Sequence, residues 1–222
     1  MIIQIFGQGL ISPLGISKYE TRVTRRKEME LFFKELRYKI QQAVKTDFQR
    51  ILREVGEEKI YSVAFVTDSD CITLYLAVNT YEYMKEKDNK YIKLFQSRLT
   101  QEKIENIKNH SISITKWTPA EWGYSDGKNS ELNKISKLLY AKQESLNSNE
   151  YPRYTELFFE IVTSVFKQLI LSKVFEENSE EITYFISMSD DERTTEIENH
   201  SAKLLNSEAH YQDFLKRTED WQ

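Results

Sequence analysis

At 222 residues the chain suits one large domain or two small ones, and folding at this size buries roughly 70% of the unfolded surface. Hydrophobic residues make up 40% and aromatics 13%, so the 30% that are charged mark a solvated surface and exclude wholesale disorder. A net charge of -4 argues against general nucleic-acid binding, which needs concentrated Lys and Arg, and no apolar run approaches the ~20 residues of a membrane span.

The opening "MIIQIFGQGLISPLGIS" holds three of the six glycines but lacks the basic start and small-residue cleavage site of a signal peptide. Residues 1–28 read as an N-terminal extension ahead of a single domain over 29–222. From about Lys27 to Val55, Phe33, Leu36, Ile40, Val44, Phe48 and Ile51 recur at three and four, the stripe of a helix lying on a core. Gly56 ends it. "KIYSVAFVTDSDCITLYLAVNT" then turns to β-branched and aromatic residues, two strand-length runs flanking Asp68-Ser69-Asp70, which is a hairpin signal over 60–78. Cys71 is a lone cysteine within this strand pattern, expected as a small buried hydrophobe in a reducing compartment, hence the cytoplasm.

Thr80 is placed to cap the next helix, in which "KEKDNK" reads as a break. "WTPAEWGYSDG", residues 117–127, follows. Ser130 opens another helix, and a wide apolar stripe from Thr155 to Glu177 makes a largely buried one. "EITYFISMSDDE" alternates as a strand at 181–188, and acidic helices follow from about Glu192. The fold class is α+β: a small, mainly antiparallel sheet, made of the hairpin 60–78 and the strand 181–188, covered by several helices.

Charge is unevenly placed. Residues 1–53 carry eleven Lys or Arg against five Asp or Glu, and 176–222 carry four against thirteen, so the acidic end is a candidate contact for a basic partner. Catalytic signals are weak. Asp68 and Asp70 form D-x-D after a strand, a spacing that places two carboxylates on a divalent metal in some glycosyltransferases, but a hairpin turn selects the same residues. Asp190, Asp191 and Glu192 stand where a strand meets a helix, which favours caps and also suits a cation. His110, His200 and His210 lack zinc-ligand spacing. No Ser lies in a G-x-S-x-G elbow, and the G-x-G at Gly7 and Gly9 lacks the third glycine of a dinucleotide fingerprint. No cofactor is expected. Trp117 and Trp122, with Glu121 and Tyr124, combine large apolar area with polar tips, which serves either a core plug or an interface anchor.

The segment order, with "IYSVAFVTDSDCITLYLAVNT", "WTPAEWGYSDG" and "YFISMSDDE" followed by "SAKLLN", resembles a bacterial family known as domain of unknown function number 4303. The similarity spans approximately residues 29 to 206. It supplies no catalytic residues, and it implies a context: proteins of this size and habit are encoded beside polymorphic toxins. The expectation is therefore a non-enzymatic cytoplasmic binding protein, an immunity protein that neutralises a toxin. Its surface would use Trp117, Glu121, Trp122, Tyr124, Asp190, Asp191, Glu192, Glu196 and Glu198. The alternative is a small metal-dependent or nucleotide-binding enzyme using Asp68 and Asp70 or Asp190, Asp191 and Glu192.

Overall fold

Helix α1 (Lys18–Val55) follows from its apolar stripe, with Phe33, Leu36, Ile40, Val44, Phe48, Ile51 and Val55 all buried. It starts at Lys18, not near Lys27, so residues 18–28 of the segment read as an extension are helical. The computed structural model describes residues 18–109, 112–175 and 181–218; the segment 1–17 and His110 lie outside the described residues. Gly56 closes α1 in the left-handed region at φ 61°, its N–H donating to the Leu52 carbonyl at 3.1 Å.

Strands β1 (Ile60–Asp68) and β2 (Tyr75–Thr80) form the expected hairpin, antiparallel with Val63 opposite Val78 and Phe65 opposite Leu76. The connection between them is longer than the sequence implied. Cys71 lies in that turn and not in a strand, at φ 55°, with its N–H on the Asp68 carbonyl at 3.1 Å. The expectation that it is buried holds, and burial pushes its thiol up to about 12.

Helix α2 (Tyr81–Phe95) is capped by Thr80, whose hydroxyl accepts from the Tyr83 N–H at 3.1 Å. "KEKDNK" does not break it: Glu86 and Lys90 pair across one turn at 2.5 Å, and Asp88 turns inward, buried. Helix α3 (Gln101–Lys108) follows, and β3 (Tyr124–Ser125) adds to the open edge of β2. Helix α4 (Glu131–Glu144) is capped by Ser130 and also by Asp47 from α1. That buried carboxylate accepts from the Glu131 and Leu132 N–H groups at 3.0 and 2.8 Å and pairs with Arg50. Helix α5 (Tyr151–Leu171), β4 (Thr183–Ser189), α6 (Thr194–Leu205) and α7 (Glu208–Leu215) complete the chain.

The fold is α+β, and among the described residues its four-stranded sheet runs β3-β2-β1-β4. It is mixed, because β4 lies parallel to β1, with Phe65 beside Ile186 and Asp68 beside Ser189. One face packs Val63, Phe65, Leu76 and Ile186 against α1, α4 and α5. The other buries Ala64, Val66, Ala77 and Phe185 under Trp122, Ala202 and Phe214. The free edge of β4 is closed by side chains of α6 and of Asn206, which follows its last turn. Asn206 accepts from the Tyr184 N–H at 2.8 Å and donates to its carbonyl at 2.6 Å, while Ser201 accepts from the Ile186 N–H at 2.8 Å. Covering an edge in this way removes a template for pairing with another chain. No helix among the described residues is long and apolar enough to cross a membrane.

Candidate functional site

The aromatic stretch is a strap held across the second face of the sheet. Tyr61 is the central post: its hydroxyl donates to the Lys116 carbonyl at 2.8 Å and accepts from the Asn79 amide at 2.9 Å. Burial raises the pKa of that phenol strongly, so it stays a neutral donor. The Trp122 indole N–H donates to the Thr115 carbonyl at 3.2 Å, and Asp126 accepts from the Leu76 N–H at 2.8 Å. Gly123 is required by contact, since a Cβ there would stand 2.7 Å from the Tyr83 ring.

Both tryptophan rings face inward. Trp122 meets Phe185 edge-on at 5.6 Å, and Trp117 meets Phe214 at 5.0 Å. Trp122 is buried, whereas Trp117 is only partly buried. Glu121 pairs with Lys87 at 2.9 Å. The Tyr124 hydroxyl donates to Glu58 at 2.8 Å, and burial together with that carboxylate pushes its pKa up to about 12.

The acidic turn between β4 and α6 divides into three environments. Asp190 is exposed in the left-handed region at φ 56°, and Glu192 and Glu196 are also exposed. Asp191 folds back on Arg193, its two oxygens accepting from the guanidinium at 2.9 and 2.6 Å. Hydrogen bonding to Arg193 holds this carboxyl at about 2. Glu198 does not belong to the acidic surface read from the sequence. It is 8% exposed, and its oxygens accept from the Ser187 hydroxyl at 2.7 Å and from Arg217 at 3.1 Å. The helical period turns it inward two positions after Glu196, and burial raises its pKa.

The strap and the turn meet at a cavity of about 360 Å³, where Trp117, Pro119 and Ala120 face Ser187, Asp190, Thr194 and Glu198. Trp117 and Asp190, chosen from distant parts of the sequence, therefore line one concavity. Sequence reasoning missed Ser187 and Thr194, which carry no motif, and Asn79, which donates to the Tyr61 hydroxyl at 2.9 Å and accepts from the strap's Gly123 N–H at 3.5 Å.

Asp68 and Asp70 stand elsewhere. One Asp68 oxygen accepts from the N–H groups of Asp70 and Ile72 at 3.1 and 3.0 Å, the geometry of a turn-stabilising Asp. Asp70 accepts from the Tyr151 hydroxyl at 3.2 Å. The β1–β4 register makes this turn a neighbour of the Asp190 turn, but neither Asp68 nor Asp70 lines the cavity. Among the described residues, no group of three or more His, Cys, Asp or Glu is placed to hold a metal ion.

The family model for a domain of unknown function, DUF4303, matches residues 40–207, a span that includes the strap, the cavity and all of α6. Searches of curated proteins and of solved structures gave no match.

Proposed function

The chain belongs to the DUF4303 family, whose activity is undefined, and we propose from the geometry that it is a non-enzymatic binding protein for a basic protein partner. Its role on this reading is that of a bacterial immunity protein, which covers the active surface of a toxin in the cytoplasm. The observation that carries the reading is the shared cavity: partly buried Trp117 stands across from Asp190, with exposed Glu192 and Glu196 following on the same turn and helix. Exposed carboxylates steer a basic partner and fix its register, and a partly exposed indole beside a concavity is the kind of anchor that supplies affinity. Asp191 and Glu198 are neutralised internally by Arg193 and Arg217, so the docking charge rests on Asp190, Glu192 and Glu196.

The test is capture with tagged protein at low salt and at ~0.5 M, where exposed charge pairs are screened. The expected partner is a salt-sensitive protein that is lethal when expressed alone and harmless when co-expressed with this chain. The triple variant Asp190→Asn/Glu192→Gln/Glu196→Gln should associate more slowly and with a flatter salt dependence. Unchanged association kinetics in the triple variant, or no partner at either salt, contradicts the reading.

A further inference from the structure

We infer that the second cavity lined by Trp117 is a binding site for a small phosphate-bearing anion. This cavity, of about 310 Å³, receives Lys85 from α2, Lys116 from the segment leading into the strap, and Lys216 and Arg217 from the turn after α7. Among the described residues its acidic lining residue is Asp213. Four cations from three separate stretches of chain thus converge on one concavity, paired among the described residues with two carboxylates, Asp213 and Glu198, in a protein whose net charge is -4. A cleft lined by one sign of charge focuses its field and concentrates the opposite ion.

Among the described residues, internal pairing compensates only part of this charge, two carboxylates against four cations. Asp213 is shared between Lys116 at 3.3 Å and Lys216 at 3.9 Å, and Lys85 has no ion pair with a described residue. Arg217 is 9% exposed and is fixed by Glu198 and by the Phe214 carbonyl, at 3.1 Å each. It is a preorganised fork beside the ammonium groups of Lys85, Lys116 and Lys216, a combination that matches a multiply charged oxyanion.

Scale selects the class of ligand. The volume lies at the small end of ligand pockets, roughly 300–1,000 Å³, and a concavity of this size takes a small molecule, not the extended backbone of a nucleic acid. A free phosphorylated small molecule is therefore the occupant. The inference is independent of the proposed partner, which docks on the other side of the strap.

The test is calorimetric titration of the full chain with inorganic pyrophosphate at matched ionic strength. Saturable binding is expected below about 1 mM, weakened at least about tenfold in Lys85→Gln/Lys216→Gln and unchanged in Asp190→Asn/Glu192→Gln/Glu196→Gln. Both lysines are exposed, so the variant should keep the native circular dichroism and melting temperature; Lys216→Glu alone provides the same test should the double variant lose them. Absence of saturable binding, or equal affinity in the natively folded lysine variant, overturns the proposal.

Discussion

Glu198 and Arg217 bury opposite charges against each other at 3.1 Å beneath a face that also holds Trp117, Phe185 and Phe214. Burial raises the carboxyl pKa and lowers that of the guanidinium, so for each ion the loss of water outweighs the attraction of its partner. Removing one member leaves the other charged and alone. Glu198→Ala should therefore cost roughly 3–5 kcal/mol in urea unfolding, while replacing both residues by Met should cost less than that. The pH dependence follows from the raised carboxyl: the folded state holds the proton more tightly than the unfolded chain. Its contribution is complete below the unfolded pKa of about 4.3 and is lost as pH rises through the folded value. Glu198→Gln should flatten this slope, and an unchanged pH–stability profile would contradict the assignment. Cys71, with its thiol pushed up to about 12 by burial, should react with Ellman's reagent only as fast as the protein opens; rapid modification of the native protein would contradict its placement.

At the scale of elements, the edge of β4 depends on α6. Asn206→Ala leaves the Tyr184 N–H and carbonyl without their partner and should cost about 1–3 kcal/mol, with faster amide exchange at Tyr184; unaltered exchange would mean that the edge is closed in another way. Gly123→Ala should loosen the strap, because the added methyl meets the Tyr83 ring, at a cost of about 1–3 kcal/mol, read as a lower urea midpoint.

These elements differ in how far the sequence announced them. Helices α1, α4 and α5 were legible because burial stripes at three and four are local, as were the Thr80 and Ser130 caps. The parallel direction of β4 was not, since alternation marks a half-buried strand but carries no direction. Strand β3 is two residues long, too short for any period to register. The inward place of Glu198 lay in the helical spacing from Glu196, yet a run of acids disguised it. Both cavities join segments from distant parts of the chain, and no local pattern encodes that meeting.

For the whole molecule, the strap is a partition. Trp117 lines both cavities, one bordered by Asp190 and the acidic turn, the other by Lys85, Lys116, Lys216 and Arg217. The buried Glu198–Arg217 pair links their linings, since each partner contributes to one of them. The charge asymmetry along the sequence is therefore not a simple contrast between a basic start and an acidic end: the C-terminal region itself supplies cations to one cavity and carboxylates to the other. The most direct test of the docking face is hydrogen–deuterium exchange of the chain alone and in complex with the partner captured at low salt. The account predicts new protection in peptides covering 117–121 and 189–197. Protection confined to other segments, with both of these unchanged, would contradict it.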